Sequence, residues 1–164
     1  MSTSQTALYL LVDNPFTWRA DWAWGLPLIV LTVLMHVSGL LFISQRVVHG
    51  SAGRMIERRH PKIAFILVLG ATTLLATCLH GLEATVWAYA YWFLSALPDV
   101  RTSVLYSLNA MTSYGHTNIG LAEHWHLMGA LEALNGWLLF GLTTAFLFAV
   151  LEKIRVAGVR PEHK

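Results

Sequence analysis

The sequence predicts an all-α integral membrane protein with three transmembrane helices and a shorter re-entrant segment between the second and the third. Hydrophobic residues make up 55% of the 164 residues, and charged residues make up only 12%, compared with about 25% in a typical soluble domain. Mean hydropathy is +0.54, and three long stretches contain no charged residue. These values disfavour a soluble globule, a disordered chain, a fibrous repeat and a nucleic-acid-binding protein.

Each uncharged stretch is long enough to form a helix that crosses a bilayer. The stretches are 26–43, 63–82 and 133–151; the second stays apolar as far as Leu97, and the third can begin near His126. One crossing takes about 20 helical residues. Helices are expected because the hydrocarbon offers backbone groups no partner. No basic cluster precedes the first stretch and no small-residue cleavage site follows it, which favours a retained helix over a signal peptide.

Basic residues predict the orientation of these helices. The loop 44–62 carries five Arg or Lys residues and one Glu, and the tail after Leu151 carries four Arg or Lys residues and two Glu. Because cytoplasmic loops are enriched in positive charge, we expect the C-terminus inside and the N-terminus outside. The basic loop can also contact anionic lipid headgroups. Small size, and the lack of a eukaryote-type targeting signal, favour a bacterial inner membrane.

The segment between the second and third helices has an unusual pattern. Ser103–Met111 is moderately apolar and predicts a helix of about two and a half turns, which is too short to cross the membrane. A polar, non-helical run, 112–118, follows it, and then an outer loop rich in His and Trp. A short half-buried helix followed by a polar segment indicates a re-entrant loop, which is tolerated at membrane depth where protein or a water-filled cavity surrounds it.

This arrangement resembles the pore module of the potassium channel superfamily, which consists of an outer helix, a pore helix, a filter and an inner helix. The family filter has the sequence TTVGYGD. In a gap-free alignment the residues that fall on it, in order, are Thr112, Ser113, Tyr114, Gly115, His116, Thr117 and Asn118. The resemblance covers Ile63 to Lys153. It implies an N-terminal segment with an extra helix (1–62), a channel pore domain (63–153) and a short cytoplasmic tail (154–164).

The predicted filter departs from the family pattern at its glycines. The family uses two glycines because alternating backbone handedness points every carbonyl at the ion. Gly115 occupies the first of these positions and Thr117 the second. A second register pairs Tyr114-Gly115 with the family's Tyr-Gly and places Ser113 at the first glycine, but it needs a pore helix two residues shorter. In either register a weakly selective pore is as plausible as a potassium-selective one.

The inner helix carries three further residues to which the resemblance assigns roles. Gly136 is the candidate gating hinge, and Gly141 continues the narrow face with the small residues that follow it. Glu132 lies one turn before Gly136 in an apolar helix, where an ionisable side chain is costly and usually has a partner. We expect it to support the filter; the alternative is a glutamate in water at headgroup level. Its candidate hydrogen-bond donors are Ser107, Asn109 and Tyr114.

Several histidines are candidate pH-sensing residues. His80 and Glu83 stand at i and i+3 and share one helix face. Histidine titrates near neutral pH, and rings of it at an outer mouth would repel cations when protonated. The outer candidates are His116, His124 and His126, for which the alternative is simple solvation. His36, in the first helix, is predicted to be a hydrogen-bonded packing residue, and no metal site is predicted.

No P-loop, Rossmann or serine-nucleophile motif occurs, so we expect no enzyme activity, no catalytic residue and no cofactor. The resemblance implies passive conduction of a monovalent cation, potassium above all, through a homotetramer, since four loops close such a filter. The expected partners are further copies of the chain and membrane lipids, without nucleic acid or a small-molecule substrate. One alternative is a non-conducting channel-like scaffold or sensor. Another is a metal- or haem-binding membrane protein that uses His36, His80, Glu83 and Glu132.

Overall fold

The computed structural model describes residues 18–49, 61–115 and 119–158, and within these ranges all regular structure is helical. The prediction of an all-α chain is therefore confirmed for the described residues. The elements in chain order are α1 (Arg19–Ile43), a π-helical turn (Ser44–His49), α2 (Pro61–Phe93), α3 (Val100–Met111), a 3-10 turn (Glu123–Trp125) and α4 (His126–Gly158).

Three of these helices are long and apolar enough to cross a membrane. The candidate spans are Arg19–Arg46, Phe65–Phe93 and Glu123–Lys153. Large apolar side chains such as Leu34, Ile66 and Phe148 are exposed on their outer faces, which suits a lipid environment. The three predicted helices are confirmed and indicate a membrane protein. The orientation stays a prediction, and most of the basic residues that suggest it lie outside the described side chains.

The helices pack as two compact units, and the first comprises the described residues of 18–32 and 84–137. Its core centres on Trp87, Tyr91 and Met128, all fully buried. The buried carboxylate of Asp21 on α1 accepts the main-chain N–H of Met128 at 2.9 Å. That N–H belongs to the first turn of α4, where it has no partner within its own helix. Asp21 therefore caps α4 from a neighbouring helix.

A Schellman turn ends α2 at the edge of the first unit. Ser95 adopts a left-handed conformation with φ of 54°. Its N–H donates to the carbonyl of Trp92 at 3.1 Å, and the N–H of Ala96 donates to that of Tyr91 at 2.9 Å. These two bonds satisfy carbonyls that the helix end would leave unpaired. The helix therefore stops at Phe93, although apolar residues continue to Leu97.

The second unit comprises the described residues of 33–49, 61–83 and 138–158. Its apolar core contains Leu40, Ile43 and Leu79, with Phe146 packed against them. Gly39 allows α1 to approach α2 closely, because a Cβ at this position would lie 2.6 Å from a methyl carbon of Leu79. Of the fully buried polar side chains of this unit, Thr72 donates to the carbonyl of Val68 at 2.7 Å, whereas His36 and Glu83 belong to a hydrogen-bonded cluster that is described with the site.

Candidate functional site

The short helix α3 begins where Asp99 caps it. Asp99 is extended, with φ of −151°, and its carboxylate accepts the N–H of Thr102 at 2.9 Å and the hydroxyl of Thr102 at 2.7 Å. These hydrogen bonds, the main-chain one first, hold the pKa of Asp99 below its usual range. Because an Asp at this position satisfies first-turn donors, the helix starts at Val100, three residues before the predicted start.

A carboxyl group joins α3 to α2 and α4 in the first unit. Glu132 on α4 is fully buried. It accepts a hydrogen bond from the Tyr91 hydroxyl on α2 at 2.7 Å and another from the Ser107 hydroxyl on α3. The Ser107 oxygen also lies 2.7 Å from the carbonyl of Ala84, so its single proton has two available acceptors. These bonds offset the cost of burying a polar group and fix the rotation of α3.

The three predicted donors to Glu132 have different positions in the structure. Ser107 contacts the carboxyl, whereas Asn109 offers its main-chain carbonyl to the N–H of Tyr114 at 3.0 Å. The Tyr114 side chain is 85% exposed. The structure therefore shows where these side chains lie, and their role in supporting a filter stays a prediction. The headgroup-level alternative for Glu132 does not fit its complete burial.

A second Schellman turn ends α3 and begins the predicted filter. The N–H of Ser113 donates to the carbonyl of Ala110 at 3.0 Å, beside the bond from Tyr114 to Asn109. Ser113 is left-handed, with φ of 54°, as the residue after such a helix end must be. Thr112, at the cap position, donates its hydroxyl to the carbonyl of Leu108 at 2.7 Å.

The first four predicted filter residues are described, and the remaining three, His116, Thr117 and Asn118, lie outside the described residues. The indole N–H of Trp137 on α4 donates to the Ser113 hydroxyl at 3.0 Å. Gly115 has φ of 88°, a conformation that favours glycine. Ser113 and Gly115 thus take positive φ on either side of Tyr114, which is not among the positive-φ residues.

The two candidate hinge glycines have different surroundings. A Cβ on Gly136 would lie 2.8 Å from the carbonyl carbon of Met111 and closer still to its oxygen. Gly136 therefore lets α4 touch the main chain at the end of α3. Around Gly141 a Cβ would meet nothing within 4 Å. A hinge at either position stays a prediction, but close packing alone explains glycine at 136.

A second polar cluster lies within the second unit and joins α1, α2 and α4. The Nδ1 atom of His36 lies 2.8 Å from Oε1 of Glu83, and Nδ1 of His80 lies 3.4 Å from Oε2. The Nε2 atoms of both histidines lie 3.0 Å from the Thr143 hydroxyl oxygen. The two imidazole rings are 5.0 Å apart between centroids. His36 and Glu83 are fully buried, and the His80 side chain is 30% exposed.

This cluster unites residues that the sequence placed apart. His80 and Glu83 share a helix face as the spacing predicts, and His36 is hydrogen-bonded as predicted, with Glu83 and Thr143 as its partners. Glu132, which the metal- or haem-binding alternative groups with these three residues, accepts hydrogen bonds from Tyr91 and Ser107 within the first unit. A pH-sensing role for His80 and Glu83 stays a prediction.

The described outer histidines have local contacts. His124 is exposed, and its ring lies 5.5 Å from that of Trp125. The Nε2 of His126 donates to the carbonyl of Leu121 at 2.9 Å. His116 lies outside the described residues, so the predicted ring of outer histidines stays a prediction.

Comparison with protein-family models, with curated proteins and with solved structures finds no match to this chain. The resemblance to the potassium channel pore module therefore stays an expectation from the residues quoted for it.

Sequence reasoning did not find the hydrogen-bonding roles of Tyr91 and Thr143. Tyr91 lies in the aromatic run at the end of α2, a pattern that is typical of a membrane interface, yet it is fully buried. The signal that could have found it is the demand of a buried Glu132 for donors. Thr143 carries no such signal, because a threonine in a helix ordinarily bonds to its own backbone.

Proposed function

We propose that this chain is a subunit of a membrane cation channel in which four copies surround one pore, with residues 112–118 lining its narrowest part. The observation that carries the proposal is α3. Its 12 residues extend about 18 Å, too short for the roughly 30 Å of hydrocarbon. Its buried face nevertheless packs between two membrane-length helices. A short helix held in this way is what a re-entrant pore helix requires.

The contacts of α3 suit a segment that must hold a loop in place. Non-helical backbone at membrane depth needs protein or water around it. The middle of α3 is fixed by the hydrogen bond from Ser107 to Glu132, and its end by the approach of Gly136 to Met111. Beyond that end, the side chain of Tyr114 is exposed and is available for contact with water or with further copies of the chain.

Backbone handedness in the segment also supports the proposal. Alternation of left- and right-handed residues can turn successive carbonyls to one side, as a ring of carbonyl ligands requires. Positive φ at Ser113 and at Gly115 gives one such alternation. The shorter-helix register places both residues on the family's glycine positions. The helix end alone accounts for Ser113, so this value is compatible with either register, and Gly115 occupies a glycine position in both.

The proposed assembly is a homotetramer, because one chain supplies one loop and four loops close such a filter. Its proposed location is a bacterial inner membrane. The apolar side chains of Leu134, Trp137 and Phe140 are exposed on the part of α4 next to the loop. In the assembly they are available for contact with other copies or with lipid. The permeant ion is a monovalent cation, with potassium or weak selectivity as the two possibilities that flux distinguishes.

The test is cation flux from liposomes that contain the purified chain, with potassium and sodium gradients in parallel and the native mass measured on the same sample. We expect a tetramer, flux, and loss of flux in Gly115→Asp. The matched control is Gly120→Asp, because Gly120 is exposed and a side chain there meets nothing within 4 Å. A folded tetramer without flux would favour the non-conducting scaffold, and a monomer would refute the pore.

A further inference from the structure

We propose that His36, His80 and Glu83 form a binding site for a divalent first-row transition-metal ion, with Thr143 orienting both imidazoles. One ligand atom from each of the three residues lies within 4.8 Å of the others. All four residues belong to the second unit. The site therefore does not depend on ion conduction through residues 112–118.

The first reason is an unsatisfied carboxylate oxygen. Glu83 is fully buried, and burying a carboxylate is costly unless it is paired. His36 pairs with Oε1, but Oε2 is buried and has no hydrogen-bond partner among the described residues. The Nδ1 atom of His80 lies 3.4 Å from this oxygen. A buried anionic oxygen beside an imidazole nitrogen is a place where a cation is favoured.

The second reason is the number of hydrogens in the cluster. A hydroxyl supplies one hydrogen, so the Thr143 oxygen can donate to only one of the two Nε2 atoms at 3.0 Å. The other ring must donate from Nε2, and a neutral ring that does so presents a bare Nδ1 to Glu83. The distances indicate which ring this is. From these distances we infer that His36, 2.8 Å from Oε1, donates from Nδ1, and that His80, 3.4 Å from Oε2, is the ring with the bare Nδ1.

The third reason is the fit of the donor set. Two ligand atoms that each lie about 2.0–2.1 Å from a tetrahedral ion are about 3.4 Å apart, which is the separation of His80 Nδ1 and Glu83 Oε2. Two imidazoles and one carboxylate suit zinc, cobalt or iron(II), whereas magnesium and calcium prefer oxygen ligands. The partly exposed His80 ring gives the ion a route to the buried carboxylate.

Binding of the ion is balanced by one proton shift within His36. Its proton moves from Nδ1, which becomes a ligand, to Nε2. The Thr143 oxygen then accepts from both Nε2–H groups, and its own hydrogen turns to a carbonyl of its helix, as threonine hydroxyls in helices commonly do. No proton leaves the site. Residues that hold the second nitrogen of a ligating histidine in this way orient the ring and tune affinity.

The experiment is a titration of the detergent-purified full chain with Co²⁺, followed by visible absorption, and equilibrium dialysis against Zn²⁺ with elemental analysis. We expect one ion per chain, and loss of that ion in His36→Gln, His80→Gln and Glu83→Gln. Thr143→Val, which keeps the side-chain shape, should weaken binding roughly 10- to 100-fold. The control is His126→Gln, an exposed histidine at the start of α4 that should bind as the unaltered chain does.

Helical circular dichroism of each variant separates loss of the ligand from loss of the fold. Because His80 is partly exposed and Thr143→Val is conservative, these two variants keep the test decisive if Glu83→Gln does not fold. Absence of a stoichiometric ion in the folded, unaltered chain overturns the proposal. Binding that survives all four cluster variants, or that disappears equally in His126→Gln, overturns it as well.

Discussion

The hydrogen bond from Tyr91 to Glu132 is the contact that most directly ties α2 to the carboxyl holding α3. Tyr91→Phe removes the hydroxyl and keeps the ring, which packs edge-on against Tyr106 with centroids 5.3 Å apart. Oε2 of Glu132 then loses the donor that lies at 2.7 Å. Ser107 remains on Oε1, but its proton is shared with the carbonyl of Ala84. We therefore expect no compensation for the lost bond.

The size of the effect follows from the kind of bond. Leaving a buried polar group without its hydrogen-bond partner costs about 1–3 kcal/mol, whereas hydrogen bonds between membrane helices average about 0.6 kcal/mol in double-mutant cycles. Both groups are fully buried, so water cannot replace the donor. We expect Tyr91→Phe to lower the free energy of unfolding by about 1–2 kcal/mol.

A double-mutant cycle isolates the pair. Glu132→Leu leaves the Tyr91 hydroxyl buried without its acceptor, so Tyr91→Phe should cost nothing, or should stabilise, in that background. The measurement is reversible unfolding in mixed micelles followed by helical circular dichroism, with Tyr89→Phe on the exposed face of the same helix as the control. Equal costs of Tyr91→Phe in both backgrounds, within the roughly 0.3–0.5 kcal/mol seen for independent sites, would refute the reasoning.

Three further predictions concern the ends and contacts of helices. Gly136→Ala should destabilise by about 1–3 kcal/mol, because its Cβ would meet the main chain at the end of α3; Gly141→Ala, in open space, should stay within about 0.5 kcal/mol in the same unfolding assay. Asp99→Ala should lower the melting temperature by removing the cap on Thr102. Because the pKa of Asp99 is lowered in the folded state, the stabilisation by its carboxylate is complete above the unfolded-state pKa and is lost as the pH falls through the folded-state pKa. If acid lowers the melting temperature of Asp99→Asn as much as that of the unaltered chain, this prediction is wrong. Ser95→Gly should raise stability by about 1 kcal/mol, because glycine adopts positive φ without strain; a lower melting temperature would contradict it.

The sequence was sufficient to predict the long helices and the existence of α3. An uncharged run of about 20 residues has few stable alternatives to a helix in a bilayer, so 26–43 and 133–151 predict α1 and α4 directly. The apolar pattern predicts a start of α3 at Ser103, three residues too late, because the true start is determined by the capping residue Asp99 and not by apolar side chains. The end of α2 at Phe93 depends on a left-handed serine, a conformation that sequence alone does not indicate.

The two polar clusters were only partly predictable. His80 and Glu83 are three residues apart on one helix, so their proximity follows from helical spacing. His36 lies 47 residues before Glu83 on a different helix, and their contact depends on the rotation of α1. An apolar transmembrane helix has polar positions too sparse to define that rotation. The partners of Glu132 were predicted from the pore-module resemblance as lying on or after α3, which includes Ser107 but not Tyr91 on α2.

The measurement that tests the proposed pore most directly is chemical modification at Tyr114 during cation flux. In a Cys78→Ala background, which removes the single and exposed cysteine, Tyr114→Cys is reconstituted in liposomes. A membrane-impermeant charged thiol reagent is then added while flux is recorded, with Tyr89→Cys as the exposed control. We predict that modification stops flux through Tyr114→Cys and leaves the control unchanged. Complete modification of Tyr114→Cys with undiminished flux would contradict the placement of residues 112–118 in the pore.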